Sequence, residues 1–122
     1  MEETEKIVII STTGPENQEK ATLPFVVAAA ALATDVKVAV ILQASAVLLA
    51  KLGAAENINA PGLMPLKQLM DTFIELGGEL LLCSPCIKER HIKEEELIKG
   101  SKLIAAGTVV TEVLSAKAVL TY

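Results

Sequence analysis

The stretch Pro65 to Cys86, PLKQLMDTFIELGGELLLCSPC, changes its hydrophobic period in the middle. Leu66, Leu69, Met70, Phe73 and Ile74 recur at helical spacing, Pro65 suits a first helical turn, and Gly77-Gly78 supplies the stop. Glu79 to Cys83 then runs apolar without alternation, the pattern of a strand covered on both faces. Ser84 reads as an N-cap and Pro85 as the first helical residue, so another helix opens directly on the strand's end.

Outward from this unit the same grammar repeats. Lys6 to Ser11, Val36 to Leu42, Lys102 to Ala106 and Lys117 to Thr121 are further apolar runs of strand length. Helical patterns fill the intervals: Ala44 to Leu52, closed by Gly53, and Thr108 to Ala116, with Thr108 as N-cap. Strand and helix in alternation imply right-handed crossovers. The expectation is one domain over residues 1–122, a three-layer α/β/α fold on a five-stranded, mainly parallel sheet.

Composition narrows the function classes. The chain has 122 residues, 52% apolar and 2% aromatic, enough to bury roughly two-thirds of its unfolded surface. Its 11 basic and 15 acidic side chains give a net charge of −4, and the lysines are scattered singly, so nucleic acid is not an expected partner. Asp35 and Lys37 break the longest uncharged stretch before it reaches the roughly 20 residues a bilayer requires. The acidic start Met-Glu-Glu-Thr-Glu-Lys is the opposite of a signal-peptide n-region. No membrane contact and a cytoplasmic location are therefore expected, a reducing setting in which Cys83 and Cys86 are reactive or metal-binding rather than a structural cross-link.

Leu23 to Ala33 is apolar all round, with Pro24 marking a helix start or kink. A domain this small has few layers in which to bury such a helix, so its outward side is expected to meet another copy in a homo-oligomer.

Ligands of open parallel sheets collect beyond the carboxyl ends of strands, here Thr12 and Thr13, Gln43, Cys83 with Ser84, and Gly107 with Thr108. The first loop matches no dinucleotide or phosphate-cradling glycine pattern, so no nucleotide is expected. Cys83 sits just before a helix N-terminus, where exposed N–H groups and the helix dipole would lower a thiol's pKa and make it nucleophilic. Lys88 and Arg90 add positive field.

Three chemistries fit this CxxC. Thiol–disulfide exchange has the right spacing, although no proline follows Pro85 to supply a thioredoxin-type cis-Pro loop. Zinc would find Cys83, Cys86 and His91, one ligand short of a closed site. Sulfur relay, in which a thiolate accepts sulfane sulfur as a persulfide, needs only one cysteine and leaves the second as a resolving thiol. Neither a cofactor nor a resident metal is required by the last.

Thr13-Gly14-Pro15-Glu16, Ala21-Thr22-Leu23-Pro24-Phe25, Leu42-Gln43, Pro65-Leu66, Leu76-Gly77-Gly78, Leu82-Cys83 with Lys88 and Arg90, and Leu120-Thr121-Tyr122 together resemble the DsrE/DsrF-like family of small sulfur-transfer proteins. The resemblance covers nearly the whole chain, with His91 standing where its pattern has glycine. It implies a DsrEFH-like fold, a homo-oligomer of three or six subunits, and sulfur carried on Cys83. Arg90 or Lys88 would be an electrostatic helper, Cys86 a resolving thiol, and the donor and acceptor of sulfur proteins or small molecules.

Overall fold

The computed structural model describes residues 4–122; Met1 to Glu3 of the acidic start lie outside the described residues. Five strands, β1 (Lys6–Ser11), β2 (Lys37–Leu42), β3 (Glu79–Cys83), β4 (Ser101–Ile104) and β5 (Ala118–Thr121), form one sheet in the order β4-β3-β2-β1-β5. Every pairing is parallel. The helices are α1 (Gln18–Ala33), α2 (Leu66–Glu75), α3 (Ser84–Glu89) and α4 (Ala106–Ser115), with 3₁₀ segments at Ala44–Ala50, Ala55–Asn57 and Glu94–Glu96.

Chain order and handedness explain the layers. From β1 to β4 each crossover steps the same way across the sheet, which puts α1, α2 and α3 on one face; the return from β4 to β5 reverses direction and sends α4 to the other. The first face packs Ile9, Val40, Leu42, Leu80 and Leu82 against Phe25, Met70, Phe73 and Ile87. Phe25 and Phe73 meet edge-to-face with ring centroids 5.7 Å apart, joining α1 to α2. The opposite face holds Val8, Ala39, Ile41, Leu81 and Ile104 beneath Val109 and Ala116.

The α2–β3 turn shows why two glycines follow Leu76. Gly77 has φ +92°, a left-handed helix stop, and a Cβ on Gly78 would lie 2.3 Å from the Phe73 ring.

Several boundaries differ from expectation. The Ala44 to Leu52 helix is a 3₁₀ segment ending at Ala50, because Lys51 turns extended and bridges Leu97. At α4 the N-cap is Ala105, so Thr108 is not the cap but lies inside the first turn, its N–H bonded to the Ala105 carbonyl at 3.1 Å. β4 gives up Ala105 and Ala106 to that helix start. At α3 the cap position is Cys83 itself, and Ser84 and Pro85 are the first helical residues. α1 begins five residues before Leu23, capped by Asn17, whose side chain accepts the Lys20 N–H at 3.0 Å; Pro24 lies inside the helix rather than at its start. Ala30 and Ala33 on its outer side are exposed, so the all-round apolar character persists in the fold. No helix among the described residues is long and apolar enough to cross a membrane.

Candidate functional site

Register sets the site. Ser11 pairs with Leu42 and Leu42 with Leu82, so Thr12, Gln43 and Cys83 come side by side one residue further on, at the carboxyl edge of the sheet. Gln43 donates its backbone N–H to the Ser11 carbonyl at 2.9 Å, and both the N–H and the hydroxyl of Thr12 donate to the Tyr122 carbonyl, at 2.9 and 3.1 Å. Half-buried Thr13 continues the loop.

At this edge β3 turns directly into α3, and the three-residue spacing of the cysteines becomes one helical turn. Their Sγ atoms lie 2.7 Å apart, both side chains half-buried. The Cys86 sulfur accepts the backbone N–H of Ala44 at 3.3 Å. Ala44 has φ +52°, left-handed backbone uncommon for alanine.

Electrostatics depart from expectation at Cys83. Burial, and next its hydrogen bond with Cys86, push this thiol above the ordinary value of 9.0; the Cys86 N–H and the Arg90 charge pull the other way and lose. α3 has only six residues, so its dipole is a small counterweight to desolvation. Arg90, exposed, donates from Nη1 to the Cys86 carbonyl at 3.2 Å instead of to either sulfur. His91 has φ +55°, the conformation that favours the glycine of the family pattern. It is exposed, and no three His, Cys, Asp or Glu side chains cluster as a metal site among the described residues, so it does not complete a zinc set with the thiols.

Of the other expected residues, Ser84 stands half-buried between the cysteines. Thr108 is exposed in the first turn of α4, which follows β4 on the opposite face of the sheet from α3.

The structure adds residues that the strand-end argument passed over. Ser45 donates its hydroxyl to Glu16 Oε2 at 2.6 Å, and the Gly14 N–H reaches Ser45 Oγ at 3.1 Å and Glu16 Oε2 at 3.2 Å. That Ser45 bond holds the Glu16 carboxyl below the ordinary value of 4.5 against its slight burial, with the Gly14 N–H and the Arg90 charge acting the same way. Gly14 allows the close approach, since a Cβ there would sit 2.1 Å from the Ser45 carbonyl oxygen. Glu16 was signalled by its place in the loop after β1 and in the Thr13-Gly14-Pro15-Glu16 stretch of the resemblance, without a role; Ala44 and Ser45 carried no site signal.

Comparison with known proteins gives a consistent result. The model of the DsrE/DsrF-like family matches residues 5–122. MJ0989 of Methanocaldococcus jannaschii is 31% identical over 117 residues, covering 96% of this chain and 99% of that protein. MK0008 of Methanopyrus kandleri is 31% identical over 80% of this chain and 77% of its own length. Among solved structures, the ychN protein from E. coli superimposes with a TM-score of 0.82 at 24% identity, covering 98% of this chain and all of that one. MTH1491 from Methanobacterium thermoautotrophicum gives 0.76 at 12% identity, over 97% and 99% of the two chains. These two structures speak to the fold.

Proposed function

The chain belongs to the DsrE/DsrF-like family of sulfur-relay proteins, and on that premise we propose that it is a sulfurtransferase or sulfur carrier in which Cys83 holds sulfane sulfur as a persulfide and passes it to an acceptor thiol. The observation that carries this reading is a dithiol at the carboxyl edge of an interior parallel strand, half-exposed on the first turn of α3. In the loading step the Cys83 thiolate attacks the sulfane sulfur of a donor, the new S–S bond forms, and the donor's leaving group departs with the electron pair of the broken bond. In delivery an acceptor thiolate attacks the outer sulfur and Cys83 leaves as thiolate. Cys86 offers a branch: its thiolate attacks Cys83 Sγ, a disulfide forms, and the outer sulfur leaves as hydrosulfide. Two thiols are thereby oxidised as sulfane sulfur is reduced.

The test is intact mass after brief exposure to thiosulfate, polysulfide or a cysteine-desulfurase system under non-reducing conditions. A gain of about 32 Da per sulfur, absent only in Cys83→Ala, is expected. No adduct, with reversible loss of two protons in the wild type alone, would replace this reading with dithiol redox chemistry, which the 2.7 Å sulfur separation favours as the second choice.

The same reading has the chain assemble with copies of itself, as a trimer or hexamer. Supporting it are the outer side of α1 and the exposure of Val110 and Leu114 on α4, 57% and 80%. Light scattering on the wild type and on Leu114→Lys decides whether α4 takes part.

A further inference from the structure

We infer that Cys83 and Cys86 together form a two-thiolate site for a soft monovalent metal ion, Cu(I), a use of the pair separate from sulfur transfer. One helical turn brings both sulfurs to the same spot, 2.7 Å from each other. Both side chains are half-buried, and Pro85, between them in the sequence, is exposed, so the spot is open to solvent at the sheet edge. Each sulfur also accepts a backbone N–H, Cys86 from Ala44 at 3.3 Å and Cys83 from Cys86. Hydrogen bonds of this kind orient metal ligands and tune the ion that they hold.

What the site lacks selects the ion. Among the described residues no third His, Cys, Asp or Glu joins the two thiols. His91 is exposed beyond the end of α3, and the Glu16 carboxylate is taken by Ser45 and Gly14. Zn²⁺ asks for a full tetrahedral set, and Ca²⁺ and Mg²⁺ for a shell of oxygens, so a bare dithiol leaves each of them short. Thiolates select Cu(I), a closed-shell ion that two of them satisfy. Binding exchanges protons for metal: both thiols are deprotonated, two Cu–S bonds form, copper enters and stays as Cu(I), and the complex carries one net negative charge. The Arg90 charge, already felt at Cys83, offsets part of it. At metal–sulfur bonds of about 2.3 Å the sulfurs part to roughly 4 Å or more, through side-chain rotation at the open edge. Because both uses draw on the Cys83 sulfur, a chain holding Cu(I) does not accept sulfane sulfur there.

The test offers the reduced protein Cu(I) anaerobically as its bicinchoninate complex and follows the loss of that complex's colour, with native mass spectrometry on the product. The wild type should withdraw one equivalent per chain, a gain of about 62 Da from one copper less two protons. Cys83→Ser and Cys86→Ser should each withdraw none. Zn²⁺ offered in parallel from a pyridylazoresorcinol indicator should stay with the indicator. Failure of the reduced wild type to withdraw copper overturns the inference without any variant. An equivalent retained by folded Cys86→Ser overturns the two-thiolate site, and zinc held as firmly as Cu(I) overturns the choice of ion. The copper arm uses no sulfur donor, and persulfide loading needs Cys83 alone, so Cys86→Ser should load sulfur while taking up no copper, and failure of either reading is seen separately from failure of the other.

Discussion

Cys83 and Cys86 face each other with their sulfur atoms 2.7 Å apart, one at the cap position of α3 and the other a single turn along it. Contact this close makes an intramolecular disulfide the expected product of mild oxidation. Treatment with diamide should remove about two mass units from the unfolded-and-trapped monomer, reversibly by dithiothreitol, and Cys86→Ser should abolish the change. Mixed disulfides in place of the internal bond would show that the pair does not close.

The raised Cys83 thiol has a signed pH consequence. Folding favours the protonated form, so this group's contribution to stability is complete below the ordinary value of 9.0 and lost as pH rises through the higher folded value. The alkylation profile of Cys83 should accordingly have its midpoint at higher pH than that of a free cysteine peptide. A midpoint at or below the peptide's would show that burial does not govern the thiol.

Gly78 is a packing position as well as a turn. An alanine there would place its Cβ 2.3 Å from the buried Phe73 ring, and Phe73 anchors the contact with Phe25. Overpacking of this kind costs about 1–3 kcal/mol, and Gly78→Ala should show that loss in urea unfolding. Phe73→Ala, which leaves a cavity, should lose about 3–5 kcal/mol. Equal stability of Gly78→Ala and wild type would mean that the turn can yield.

Ser11 closes β1 fully buried, and its hydroxyl has no hydrogen-bond partner. Burying such a group costs about 1–3 kcal/mol, so Ser11→Ala should hold or raise the unfolding midpoint. A clear drop would reveal a partner for that oxygen, such as an ordered water.

The legible parts of this chain were those written locally. Val38 to Leu42 and Leu80 to Leu82 are continuous apolar runs that only a sheet covered on both faces accommodates, and the Cys83–Cys86 spacing is explicit. The Gly77-Gly78 stop was equally plain. What could not be read depends on strand order. Only adjacency of β1 and β2 brings Ser45 to Glu16, and no residue preference announces that Ala44 will adopt positive φ. Thr108 misled because threonine is a good cap in general, whereas here Ala105 is already extended and takes the position. The Ala44 to Ala50 segment misled because α and 3₁₀ turns share nearly the same apolar spacing.

β5 pairs with β1 across almost the whole described chain, Ile7 beside Ala118 and Ile10 beside Thr121, and all of its residues are exposed. Closing the longest loop carries the largest entropy cost, and few buried contacts repay it at this margin. This strand is therefore expected to open ahead of the interior strands, read as earlier exchange of its amide hydrogens with deuterium than those of β1, β2 and β3. The dithiol sits on β3 and α3, which lean on β2 and the Ala44–Ala50 turn, so a chain that has shed its last strand still presents an assembled pair of thiols to whatever oxidant or sulfur donor it meets.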